Sequence, residues 1–259
     1  MYKNYLFDLY GTLVDIKTDE QSKKLWKKLA KLYACYGAVY KPKHLRKAFF
    51  ELDKEERALL KEKLGCEYPE IKLEKVFIRL LKEAPEMLTG PDNGNELSVR
   101  IPENEAVWAE LMANAFRTLS RKYLKLFPDT LETLDALREK GCKVYLLSNA
   151  QAIFTMPEIK LMHIDEHMDR LYISSDYGVM KPDPMFIKAL VEAEGIDISE
   201  SVMIGNEVRS DVKVAQSIGM DGILLNNYGL SKEEIDKERA VHKVTGDFKT
   251  INGIAELLN

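Results

Sequence analysis

The chain has 259 residues, enough for one large domain or for a core with a smaller companion, and its 46% apolar and 31% charged side chains are the balance of a globular protein. A formal charge of −4 leaves no large basic field for nucleic acid or an anionic membrane, so a small-molecule partner is expected. Cys35, Cys66 and Cys142 are odd in number, widely spaced and free of CxxC pairs, which fits reduced thiols in a cytosol rather than a disulfide scaffold.

The opening MYKNYLFDLYG lacks the long apolar core of a signal peptide, and no later stretch reaches about eighteen uninterrupted apolar residues. A soluble, cytoplasmic protein is therefore expected. Tyr5, Leu6 and Phe7 form a short apolar run that stops at Asp8, Tyr10 and Gly11, the pattern of a buried strand meeting a turn. Residues 17–124 then carry helical spacing with almost no strand-like alternation. Helices are predicted over 20–36, 42–64, 70–82 and 104–124, with breaks near Gly37, Gly65 and Pro85. A segment of that length is too long for an ordinary crossover and reads as an inserted helical domain. The stretch from Gly90 to Gly94 (GPDNG) is a loop signal inside it. Trp26, Trp108 and the Phe49, Phe50 pair are expected to pack these helices.

Beyond the insertion, residues 130–140 read as a helix and Val144 to Leu147 as a strand that ends at Ser148 and Asn149. Residues 184–194 give another helix, Val202 to Ile204 a strand ending at Gly205 and Asn206, and Ile223 to Leu225 a further strand. Strands alternating with helices predict an α/β fold: a doubly wound, Rossmann-like parallel sheet core with a helical cap domain. The core takes residues 1–16 and 125–259, and the insertion takes 17–124. Ligands of such sheets bind at the carboxyl ends of the strands. HIDEH, His163 to His167, matches a short zinc-peptidase pattern, but no third ligand is identifiable and a surface helix is expected. His44 and His242 have no partner at metal-ligand spacing.

Four polar clusters line up at strand ends, in FDLYGTLVD, YLLSNA, GVMKPDP and IGNEVRSDV. In order and in placement they resemble the four motifs of the haloacid dehalogenase superfamily, whose helical cap is inserted where residues 17–124 lie. The resemblance implies hydrolysis through an aspartyl ester. Asp8 would be the nucleophile, Lys181 would balance the gathered negative charge, and Tyr10, Thr12, Ser148 and Asn149 would contact substrate. It also implies Mg²⁺, held by Asp8, the Tyr10 carbonyl and a carboxylate from Glu207 or Asp211, four residues apart and so expected on one helix face.

Two departures qualify the expected reaction. Phosphatases of the family carry an acid directly after the glycine of the fourth motif, where this chain has Asn206. They also carry a second Asp at the position of Tyr10, which protonates the leaving group; a phenol, with an ordinary pKa near about 10, is a poor replacement at neutral pH. The Asp-x-Tyr-Gly-Thr opening is similar to that of the 2-haloacid dehalogenases. Their Asn and Tyr signatures are replaced here by Val208 and Ile187, and Arg46 is the one arginine near their halide-binding position. Phosphate-ester or phosphoanhydride hydrolysis is the leading expectation, followed by dehalogenation and then by a non-catalytic binding role.

Overall fold

In a computed structural model, described for residues 1–87 and 104–258, the centre of the fold is a parallel sheet of six strands. They are β1 (Asn4–Phe7), β2 (Lys143–Ser148), β3 (Arg170–Ile173), β4 (Ser201–Gly205), β5 (Asp221–Leu225) and β6 (Lys249–Ile251), in the order β6-β5-β4-β1-β2-β3. β1 lies in the middle, with Phe7 opposite Leu146 on one side and Ile204 on the other. The order reverses there, so β1, β2 and β4 bring their carboxyl ends together at the switch point where such sheets bind ligands.

Side chains alternate across the sheet and divide the core in two. Tyr5, Phe7, Val144, Leu146, Val202 and Ile204 enter one apolar cluster, and Leu6, Tyr145, Leu147 and Met203 enter the other. Burial on both faces explains the nearly continuous apolar runs in the sequence.

By internal contacts the chain divides into two compact units. The first contains residues 1–16, 65–70 and 123–259, and the second contains 17–64 and 71–122. Among the described residues the second unit holds four helices, α1 (Lys23–Cys35), α2 (Pro42–Leu64), α3 (Leu73–Lys82) and α4 (Glu105–Ser120). Trp26, Phe49, Phe77 and Phe116 meet at their centre, with Phe49 and Phe116 stacked at 5.2 Å. Trp108 packs edge-on against Tyr33 and Tyr36.

Three expectations are revised. Residues 121–124 are not helical: Arg121–Leu126 is a strand paired with Val14–Thr18, and α4 ends at Ser120. The expected 70–82 helix begins at Leu73, because residues 65–70 belong with the sheet-containing unit instead of the helical one. A second short pairing, Ala38–Val39 with Glu86–Met87, also lies within the stretch expected to be purely helical. The loop expected at Gly90 to Gly94 lies outside the described residues.

Among the described residues no helix is long and apolar enough to cross a membrane. Cys66 and Cys142 are buried and Cys35 is exposed. His163 precedes and His167 ends a short 3₁₀ turn, and they pair with Glu166 at 2.9 Å and Asp135 at 2.7 Å respectively.

The two-faced core gives a direct test. Leu6, fully buried on the central strand, should cost about 2–5 kcal/mol when replaced by Ala, whereas Leu161, 68% exposed, should cost no more than about 0.5 kcal/mol. Equal losses in urea denaturation would contradict this assignment of the core.

Candidate active site

Asp8 and Ser148 sit where strands stop, and Lys181 and Asp211 reach them from the segments that follow β3 and β4. Asp8 follows β1, and its backbone N–H still donates to the Ile204 carbonyl at 2.9 Å, so the residue is held in register by the neighbouring strand. The chain then folds back on itself, with the Leu9 carbonyl accepting from the N–H groups of Leu13 and Val14 at 2.9 Å each. Gly11 makes this turn with φ of +88°, and a Cβ there would lie 2.5 Å from the Asn206 amide nitrogen. Both the backbone and the close approach demand glycine.

Asp8 is buried and accepts hydrogen bonds on both oxygens. Oδ1 accepts from Lys181 Nζ at 2.8 Å and from the Ser148 hydroxyl at 3.3 Å, while Oδ2 faces the Thr12 hydroxyl at 3.4 Å. Lys181 is 2% exposed and also donates to Asp211 Oδ1 at 2.7 Å. Asp211 packs against Gly205, where a Cβ would fall 2.1 Å from its carboxylate. Glycine at the end of β4 is thus what lets Asp211 reach the lysine.

One ammonium therefore serves two buried carboxylates. Burial works against the Lys181 charge, but Asp211 and Asp8 outweigh it and hold the lysine above its ordinary pKa. Burial, strengthened by the nearby Asp8 charge, pushes Asp211 up to about 6 despite the attraction of Lys181.

Four expected site residues are used differently from their reading in the sequence. Asn149 does not face Asp8: its amide oxygen accepts from the Lys181 N–H at 2.8 Å and its amide nitrogen donates to the Lys181 carbonyl at 2.9 Å. It buckles two strand-end loops together. Tyr10 extends to α5 (Ala152–Leu161), donating to Glu158 Oε2 at 2.5 Å with Thr155 Oγ1 3.1 Å away. Glu207 and Asp211 do not share a helix face, because Glu207 precedes the π-helical turn Val208–Val212 with extended backbone, while Asp211 Oδ2 folds back to accept from the Glu207 N–H at 3.0 Å. The Glu207 carboxylate instead pairs with Arg209 at 2.9 Å and Ser210 at 3.0 Å, and these contacts, Arg209 foremost, keep it ionised below its ordinary pKa although burial opposes them. Among the described residues no three His, Cys, Asp or Glu side chains form a metal-holding group.

Two participants carried little signal in the sequence. Asn206 places its amide oxygen 3.3 Å from the Thr12 hydroxyl and so stands beside Asp8. Glu158 is buried and is the one acid of its helix, and that was its available signal.

A buried carboxylate at a strand end, paired with a buried lysine at the switch point of a parallel sheet, places the chain among the α/β proteins whose ligands bind at that edge. The model of the haloacid dehalogenase-like hydrolases matches residues 2–219, and the chain belongs to that family. It is 27% identical over 113 residues to glyceraldehyde 3-phosphate phosphatase from Pyrococcus abyssi, covering 44% of this chain and 48% of that protein. It is 25% identical to ribulose-1,5-bisphosphate 5-phosphatase from Halopiger xanaduensis, over 68% of each. The chain spans about half the length of the first relatives it matches. Among solved structures, 2-haloacid dehalogenase from Pseudomonas syringae pv. tomato DC3000 shares the fold with a TM-score of 0.63 at 19% identity, over 99% of this chain and 96% of that one. The HAD phosphatase from Thermococcus onnurineus does so with a TM-score of 0.56 at 20% identity, over 98% and 95%.

The raised Asp211 has a measurable consequence. Its carboxyl keeps its proton to about pH 6 in the fold but to about 3.8 when unfolded, so between these values the native state binds more protons and this group's contribution to stability falls as pH rises. Lys181 titrates above the ordinary lysine range, outside that window. Asp211→Asn should remove the decline, measured as the difference in melting temperature between variant and parent from pH 4 to 6.5. A constant difference would refute the shift.

Proposed function

We propose that the chain hydrolyses phosphate esters or phosphoanhydrides of small molecules through an aspartyl-phosphate on Asp8. The observation that carries this reading is the Asp8 carboxylate itself, buried at the end of the central strand and fixed through Oδ1 by Lys181 at 2.8 Å. That contact leaves Oδ2, with its longer 3.4 Å contact to Thr12, as the attacking atom. Oδ2 forms a bond to phosphorus as the bond to the leaving oxygen breaks. Lys181 offsets the charge gathered by the phosphoryl group, and the Ser148 and Thr12 hydroxyls turn from Asp8 to the phosphoryl oxygens. Water then cleaves the aspartyl-phosphate and restores the carboxylate. The phosphatase names of the aligned relatives support this order of preference.

Magnesium fits the donors. Two carboxylates sharing one lysine leave the site with excess negative charge, and Mg²⁺ takes hard oxygens with several waters retained. Asp8, the Tyr10 carbonyl and the Asn206 amide oxygen would hold it, with Asp211 contributing charge and Glu207 engaged elsewhere. When bound, the ion would neutralise phosphoryl oxygens during transfer.

Asp8→Asn should keep the fold and lower turnover by at least about 10³-fold, whereas retained turnover would remove the nucleophile assignment. A screen of aryl, acyl and alkyl phosphates and 2-haloacids, each with and without Mg²⁺, identifies the reaction; halide release without phosphatase activity would overturn the phosphate reading.

The commitment of the Tyr10 hydroxyl to Glu158 adds a second expectation. Leaving groups that depart unprotonated should react faster than alkyl alcohols by about 10² to 10⁴-fold, the usual worth of a general acid. A series of phosphate esters of graded leaving-group pKa measures this, and a flat dependence with rate-limiting chemistry would eliminate it.

A further inference from the structure

The lysine loop is held from outside the four motifs. After α2 the chain joins the sheet-containing unit for six residues, Gly65 to Glu70, before returning to the helical unit at Ile71. Those six residues run antiparallel along the loop that carries Lys181. The Tyr68 carbonyl accepts from the Met180 N–H at 3.0 Å, and the Glu70 N–H donates to the Gly178 carbonyl at 3.0 Å. Pro69 and Val179 form the bridge between these two bonds. On the far side of Lys181, Asp183 Oδ2 accepts from the Glu67 N–H at 3.0 Å. Cys66 seats the start of the segment in the apolar cluster with Val179 and Phe186.

The end of the segment is anchored by charge. Glu70 is 5% exposed, and its carboxylate accepts from Gln151 Nε2 at 2.7 Å and from the Ser174 hydroxyl at 3.4 Å. Gln151 belongs to the loop after Ser148, and Ser174 follows β3. The same residue therefore ties the strap to the serine loop through its side chain and to the lysine loop through its backbone. Asn149 closes the opposite side of Lys181 through both backbone groups. Lys181 is thus gripped between two sets of bonds, and its ammonium reaches two carboxylates at 2.7 and 2.8 Å from a segment without regular secondary structure of its own.

We propose that the strap from Gly65 to Glu70 positions Lys181 for the reaction, with Glu70 as its positioning residue. The inference rests on the assignment of Asp8 and Lys181 to phosphoryl transfer. Its physical basis is that a buried ammonium loses its worth to the transferring group when it shifts by about an ångström. A loop braced on both sides does not shift.

Two readouts test the strap, with an aryl phosphate as substrate. In Glu70→Ala, amide exchange at Met180 should rise about tenfold, and kcat should fall about tenfold with KM nearly unchanged. Glu70→Gln keeps an oxygen to accept from Gln151 and should restore most of both. Glu67→Ala keeps the backbone donor of an exposed residue and should alter neither. Asp183→Ser retains a helix cap while being too short to reach Glu67, and it should reproduce the Glu70→Ala effects in a second place. In a Lys181→Met background, Glu70→Ala should lower kcat no further, because its effect passes through the lysine. Unchanged Met180 exchange in Glu70→Ala, an unchanged kcat, or a tenfold loss that persists without Lys181 would each overturn the proposal. The exchange measurement needs no activity and decides the matter if Lys181→Met does not fold. Turnover retained by Asp8→Asn would instead indict the assigned reaction, leaving the exchange result to judge the strap alone.

Discussion

The buried ammonium of Lys181 is the constraint on which the site depends. Two carboxylates, Asp8 and Asp211, meet it at 2.8 and 2.7 Å with almost no solvent to share the charge. Burying an ion costs several kcal/mol before its partners offset it, and removing one partner from such a set is typically destabilising by about 3–5 kcal/mol. Glycine at 205, which admits the Asp211 carboxylate, and the Asn149 clasp on the lysine backbone are both consequences of holding that charge in place.

The sheet makes the arrangement possible. Residues from four widely separated stretches converge because β1 lies between β2 and β4, with Asp8 just after β1, Ser148 at the end of β2 and Asn206 just after β4. Strands buried on both faces position those ends firmly. The residual imbalance, two acids against one base, leaves an excess of negative charge at that edge of the sheet. An apolar core of the same shape would gain nothing from such a group, so its retention in a buried position is itself informative about chemistry.

Local pattern carried the fold well. The runs at Tyr5, Val144, Val202 and Ile223 are strands because each is a short apolar stretch stopped by a turn residue, and that signal is written in neighbouring residues. The adjacency of Asp8, Ser148 and Lys181 followed from strand ends together with family resemblance. Side-chain direction did not follow. Asn149 has the right position and the wrong orientation, since its partner lies 32 residues away. Glu207 and Asp211 have helical spacing, but Glu207 lies before the π turn with extended backbone, and its carboxylate goes to Arg209 and Ser210. The phenol of Tyr10 finds Glu158 across 148 residues of chain, and the Glu67 backbone finds Asp183 across 116. Such pairings are decided by the packed structure, and periodicity holds no record of them.

The return of six residues to the sheet-containing unit also bears on modularity. An insertion with two junctions can be cut out and its ends rejoined, leaving a minimal core. Here the chain passes between the two units four times, and joining residue 16 directly to residue 123 would discard the strand-like brace together with the helices. A truncated core made that way would lack groups that satisfy Gly178, Met180, Gln151 and Asp183. The helical unit is therefore not a detachable accessory, because excising it in one piece also removes residues that belong to the sheet-containing unit.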